Sequence, residues 1–234
     1  MTDPDTSTAT LMLRQMLGNG LDAERSLVDR IVEDVALQII DGRLPPGADV
    51  NSVELAKRYS SSRTPVREAL LTLQREGLVD IPARKRPRVA PVTLVQAREV
   101  YEVRASLHGL VSELIVRRQP PLDVLYEWHG KLAQDAASGD VDGYFWDNVA
   151  FRQAEAEVAG NAQLARTLSS LGLRTLQLRH VSLSLPGRLE RSVDDHDRLL
   201  QAYADRDAEL AVAITKSIIM GGLRAIEQSG WVGE

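Results

Sequence analysis

Arginine is the residue type whose spacing carries most chemistry in this sequence. Arg63 and Arg67, four apart, share one face near the start of a stretch from Ser60 to Gly77 that reads as a helix. Ser62 or Thr64 can cap it, Pro65 suits its first turn, and Val66, Ala69, Leu70 and Leu73 supply an apolar face. A helix laid in the major groove of DNA presents its base-reading and phosphate-reading residues in that region. A second basic group, Arg84, Lys85, Arg86 and Arg88, fills a turn between two short apolar runs. Insertion into a narrow minor groove and simple tethering of phosphates both suit such a turn. A third set, Arg104, Arg152 and His196, falls on helical stripes otherwise made of apolar residues and is expected to point inward. Buried charge needs a partner, and two are available. Internal acids such as Glu102, Glu155 or Asp195 would make an ion-pair network, whereas a small organic anion would be held bidentately by guanidinium.

The elements that must position these residues follow from periodicity and turn signals. Leu27, Val28, Ile31, Val32, Val35, Ile39 and Ile40 predict an amphipathic helix over 24–41, closed by Gly42 and Pro45-Pro46-Gly47. A short helix follows, capped by Asn51 or Ser52, with Val53, Leu55 and Ala56 expected to face inward. After the Arg63/Arg67 helix, Leu78 to Ile81 and Arg88 to Val92 read as a hairpin. Helix, helix, helix, hairpin is the order of a winged helix-turn-helix. Residues 1–23, rich in Thr, Asp and Ser, are expected to form a mobile arm with at most a helical turn. From residue 93 onward strand signals vanish, and breaks at Pro120-Pro121, Gly139, Gly160-Asn161, Pro186-Gly187 and Asp205 to Asp207 predict six helices over 93–119, 121–137, 140–159, 161–183, 189–205 and 207–228. The expected fold is therefore mainly α: a winged helix-turn-helix over 24–92 followed by an all-α six-helix antiparallel bundle over 93–234.

The net charge of −5 conceals an uneven distribution. Residues 57–88 carry nine Lys/Arg against three Asp/Glu, while residues 93–234 carry fifteen against twenty, so the basic surface is confined to the part expected to meet DNA. Cysteine is absent, which excludes disulfides and thiolate metal sites. No secretory signal and no membrane-spanning run is evident, so a cytoplasmic location is expected. A helical-bundle enzyme is the competing class. It lacks support, because no nucleophile elbow, zinc-protease motif or phosphate-cradling glycine loop is present, and His196 beside Asp194 and Asp195 has no nucleophile placed with it.

Three pieces make residues 33–92 resemble the DNA-binding domain of the GntR superfamily of bacterial transcription regulators: Ile39 to Gly47, Ser62 to Leu70 (SRTPVREAL) and Leu73 to Val79. The second half resembles the FCD effector domain of FadR-type members through Val100 to Arg104, Phe151-Arg152 with Gly160-Asn161, Leu183 to Arg188, and His196 before Ala202 to Asp207. The resemblance implies a homodimeric regulator on double-stranded operator DNA, with Ser62, Arg63, Thr64 and Arg67 at bases or phosphates. It departs from the family at Val53, where an arginine is usual, and at the Arg-rich wing, where a glycine is usual. In the effector domain the family's metal ligands map onto Asn148, Arg152, His196 and Ile218. Arginine and isoleucine cannot ligate, so the implied metal site is expected to be lost and no cofactor is expected. Arg104, Asn148, Arg152 and His196 are instead the candidate effector residues for a small organic acid. A constitutive regulator with a vestigial pocket is the alternative.

Overall fold

The computed structural model describes residues 7–18 and 25–231. These divide into two compact units: the first comprises the described residues up to Leu94 together with Gly172–Leu178, the second Val95–Leu171 and Arg179–Trp231.

In the first unit, α1 spans Thr8–Met16, α2 Leu27–Ile40, α3 Ser52–Arg58 and α4 Arg63–Arg75, followed by β1 (Val79–Asp80) and β2 (Arg88–Val89). A capping box starts α2: Ser26 Oγ accepts the Asp29 amide while the Asp29 carboxylate accepts the Ser26 amide. Ile31, Val35 and Ile39 of α2 and Val66, Ala69 and Leu73 of α4 are completely buried, so the two helices share one apolar seam. Residues 8–16, expected to belong to a mobile arm, instead form a helix. Ser7 caps it, Leu13 is wholly buried, and Arg14 pairs with Glu33 of α2. The flanking 1–6 and 19–23 lie outside the described residues. In α3, Asn51 is the cap and Leu55 the buried residue, but Val53, expected to face inward, is 43% exposed. Only one side of so short a helix reaches the core.

Gly77 ends α4 with φ of 75°. Its amide bonds Gln74 O while the Leu78 amide bonds Leu73 O, a Schellman closure that turns the chain into β1. Val79 pairs with Val89 and Asp80 with Arg88 across the antiparallel hairpin. The other edge of β2 is paired as well, by Asp49, with Val50 N bonded to Pro87 O and Val89 N to Ala48 O. The sequence offers no strand signal for 48–50.

The second unit contains α5 (Leu94–Arg118), α6 (Asp123–Ser138), α7 (Val141–Val158), α8 (Ala162–Ser169), the C-terminal part of α9 (Arg174–Leu183), α10 (Arg188–Ala204) and α11 (Ala208–Gln228). Helices α6, α7, α10 and α11 pack in the order 7-6-10-11 around Phe145, Phe151, Leu125, Leu132 and Leu199. Mainly α is therefore the fold class, with a winged helix-turn-helix followed by a helical domain. The single helix expected over 161–183 is two, because Gly172 takes φ of 77°, a left-handed conformation that cannot continue a helix. That makes seven helices among the described residues from 94 onward. Of the stripe Leu210, Ile214 and Ile218 that helical spacing picks out on α11, Ile214 is buried and Leu210 is exposed, and Ala211, Thr215, Ile219 and Gly222 complete the buried face.

Candidate DNA-binding face and charged cleft

Helix α4 presents Arg63, Thr64 and Arg67 on its exposed side, opposite the buried Val66, Ala69, Leu70 and Leu73. Neither arginine forms an ion pair among the described residues. Ser62 occupies the N-cap with extended backbone, yet its hydroxyl makes no capping bond. The helix therefore begins with free amides, a free hydroxyl and an arginine, a set of donors suited to a phosphate.

In the hairpin turn Arg84, Lys85, Arg86 and Arg88 are all exposed or nearly so. Arg84 adopts φ of 60°, the conformation for which glycine is the ordinary choice, so a cation stands at the turn. Arg86 lies 3.4 Å from Asp49, an exposed pair that a phosphate can displace at little cost.

In the second unit the side chains of Arg104, Arg152, Arg179 and Arg188 converge on a cleft of about 390 Å³, its open mouth included. Asn148, Ser182 and Ser192 add neutral polar groups, and Tyr101, Leu183, Ile218, Ile219 and Gly222 complete the wall. Among the described residues no acidic side chain lines it. Arg104 is 6% exposed and stacks on the Tyr101 ring at 4.9 Å. Arg152 donates from Nη1 to Glu155 at 2.7 Å, while its buried Nη2 has no partner. Arg179 donates to Asn148 Oδ1 at 2.7 Å. Burial first, and then the charges of Arg104 and Arg152, hold the Arg179 guanidinium well below its ordinary pKa; burial and Arg152 do the same, less strongly, to Arg104.

Three of the four expected effector residues, Arg104, Asn148 and Arg152, thus meet in one place. His196 does not line the cleft, which corrects the expectation. It is completely buried edge-on against Phe151, its Nδ1–H donating to Ser192 O at 2.6 Å. Burial and Arg152 lower its pKa well below the usual range, so it stays neutral. Sequence reasoning missed Arg179 and Arg188. Arg188 closes the Leu183 to Arg188 run, which marks it without assigning a role. Arg179 is hidden by reading 161–183 as one helix, since a break at Gly172 resets which face its residues occupy.

Glu155 extends the polar system away from the cleft. Its Oε1 accepts from Tyr203, whose oxygen lies 2.9 Å from Ser112, which in turn is 2.7 Å from Thr215. Glu155 is one of three acids expected to pair an arginine; Glu102 is exposed and Asp195 pairs with Arg198 instead.

The positions corresponding to metal ligands in the resemblance do not fit an ion. Arg152 has no lone pair to donate, Ile218 has no donor atom, Asn148 Oδ1 is engaged by Arg179, and His196 stands outside the cleft. Among the described residues no three His, Cys, Asp or Glu side chains gather at metal-binding distance.

A winged helix-turn-helix with a basic exposed reading helix, followed by a helical domain with a charged cleft, defines a DNA-binding regulator with a sensing domain. Residues 27–89 match the model of the bacterial regulatory proteins of the gntR family, and residues 99–220 match that of the FCD domain. The chain belongs to the GntR family, in its FCD-containing, FadR-type branch, and is a transcription regulator rather than an enzyme. It is 28% identical over 199 residues to the HTH-type transcriptional regulator McbR of Escherichia coli, covering 83% of this chain and 90% of that one. It is likewise 28% identical over 202 residues to the transcriptional repressor GlaR of the same organism, covering 82% and 91%. The solved structure of E. coli McbR superposes with a TM-score of 0.74 at 26% identity, covering 88% of this chain and 99% of that one. No helix among the described residues is long and apolar enough to cross a membrane.

Proposed function

We propose that this regulator binds its operator as a homodimer in the cytoplasm and is controlled by a small organic anion held, without a metal or other cofactor, in the arginine cleft. The observation that carries this reading is the imbalance of charge there: four guanidinium groups line the cleft and, among the described residues, no carboxylate does. Arg104, Arg179 and Arg188 form no ion pair among the described residues, and an anion would supply what burial has taken from them. Arg152 provides a fixed positive charge at a position corresponding to a metal ligand in the resemblance. Arg63, Thr64 and Arg67, with Ser62, read the operator, and the wing cations add phosphate contacts. Val103 and Leu110, seven residues apart on α5 and both exposed, are apolar surface that a second copy would cover.

Control requires only that the anion bind one state of the protein better than another, so that operator and ligand affinities are linked. The test starts from operator DNA selected from genomic fragments by the purified protein. Fluorescence anisotropy is then followed while carboxylates and phosphates are added. An anion that changes operator affinity for the wild type and not for Arg179→Gln supports the reading; equal effects on both proteins, or none from any anion, sink it. The Arg152–Glu155 pair favours a second reading, in which the charges are structural and regulation is constitutive. It accounts for Arg152 but leaves Arg104, Arg179 and Arg188 without an ion pair among the described residues.

A further inference from the structure

Resting on the reading that the cleft holds an organic anion, we propose that this ligand carries two negative charges and is a small organic dianion, with a dicarboxylate or a phosphate monoester as its two chemical sources. Of the four cations, Arg152 is already matched by Glu155 at 2.7 Å. Arg188 at the start of α10 makes no ion pair among the described residues; burial and then the charge of Arg191 lower its ionisation, and Asp195 on the same helix opposes them in part. Arg104 and Arg179 remain, the first against Tyr101 and the second against the Asn148 oxygen, with no ion pair among the described residues. The two line the same cleft, and after burial it is the charge of Arg104 that most lowers the ionisation of Arg179.

A monoanion would satisfy one of these guanidinium groups, buried Arg104 or half-buried Arg179, and leave the other facing like charge in the cleft. Two negative charges remove that repulsion and the desolvation penalty together. The unpartnered, buried Nη2 of Arg152 supplies a directed donor to the same ligand. Ser182 and Ser192 supply neutral hydrogen-bonding groups, suited to a hydroxyl or to remaining anionic oxygens. The apolar wall at Ile218 and Ile219 limits how much chain the ligand carries between or beside its charged groups.

Isothermal titration of the full-length protein at pH 8 and constant ionic strength tests the proposal with two matched pairs, succinate against butyrate and glycerol 3-phosphate against glycerate. One dianion is expected to bind saturably and at least about tenfold more tightly than its monoanionic match, as one additional charge-assisted hydrogen bond would give. Which pair shows the preference distinguishes carboxylate from phosphate. In Arg179→Gln, and independently in Arg104→Gln, each confirmed folded by circular dichroism, the preference is expected to disappear. Monoanions that bind as tightly as dianions, in an Arg179-dependent way, would overturn the two-charge proposal and leave the anion-binding cleft standing. A preference that survives both substitutions would place the site elsewhere and overturn the proposal. Absence of saturable binding by all four compounds would overturn both.

Discussion

Arg152 and Glu155, one turn apart on α7 and both buried, form an ion pair at 2.7 Å in which the carboxylate is fully used and the guanidinium is not. Glu155 receives Arg152 on one oxygen and Tyr203 on the other. Truncating the arginine therefore strands a buried acid. Arg152→Ala is expected to lower unfolding stability by about 3–5 kcal/mol, the cost of breaking one side of a buried pair. Arg152→Ala with Glu155→Gln should recover a substantial part of that loss. Urea denaturation of the two single variants and the double variant measures the coupling, and additive losses would show that the pair is not a unit. For the same reason Arg179 and Arg104 are the sites at which ligand binding can be probed without removing the acid's partner.

The hydroxyl of Tyr203 stands between Glu155 and Ser112, and Ser112 continues to Thr215. Tyr203→Phe keeps the ring and removes the link. A buried carboxylate loses a donor, so destabilisation of about 1.5–3 kcal/mol is expected. Thr215→Val, at the far end of the chain of hydroxyls and away from the charge, should cost less. Equal losses in chemical denaturation would show that Glu155 does not depend on the tyrosine.

On the DNA side, base reading and phosphate binding are separable. Arg67→Ala is expected to reduce the preference for operator over random DNA by roughly 1–3 kcal/mol, the worth of one bidentate base contact. Neutralising Arg84, Lys85 and Arg86 to Gln should instead weaken both, and flatten the slope of log affinity against log salt by roughly 0.9 for each phosphate no longer neutralised. Competition binding at several salt concentrations checks both. A wing variant that loses selectivity with an unchanged slope would assign the wing to base or groove-shape recognition.

Asp135 near the end of α6 has its pKa raised to about 6, by burial first and then by Asp147 and Asp140. A carboxyl group that holds its proton more tightly folded than unfolded stabilises the fold when protonated. That contribution is largest below the unfolded carboxylate pKa and is lost as pH rises through about 6. Asp135→Asn is accordingly expected to melt higher than wild type at pH 7.5 and to lose that advantage at pH 5. Thermal unfolding followed by circular dichroism at the two pH values provides the comparison. An advantage independent of pH would rule out titration of Asp135 as its source.

Much of the architecture is readable in the sequence because amphipathic period and turn chemistry agree in most segments. Val66, Ala69, Leu70 and Leu73 are expected to face the core and are buried, and so is Arg152, expected to point inward from the apolar stripe that α7 carries. Where the reading fails, the local signal is short or interrupted. Helix α1 is nine residues long, and its one wholly buried residue, Leu13, draws its burial from tertiary packing that no window over 8–16 can contain. Val53 illustrates the reverse, an apolar residue left outside. In the cleft, Arg104 and Arg152 are visible as charges interrupting apolar stripes. Arg179 is not, because a helical phase carried across Gly172 ignores the point where the chain departs from the helix. His196 is singled out by its place in a motif and by its stripe, but burial beneath Ser192 decides its position.

Gly222 offers a consequence that concerns size rather than charge. A methyl group there would stand 3.2 Å from Ser182 Oγ and 3.4 Å from a carbon of the Tyr101 ring. The wall of the cleft on that side is thus set by how closely the backbone of α11 approaches two neighbouring side chains. Adding bulk at this position would wedge the helices apart before it filled the space between them. The absence of one side chain acts as the gauge for the cleft, and ligand width and helix spacing are one dimension measured from two sides.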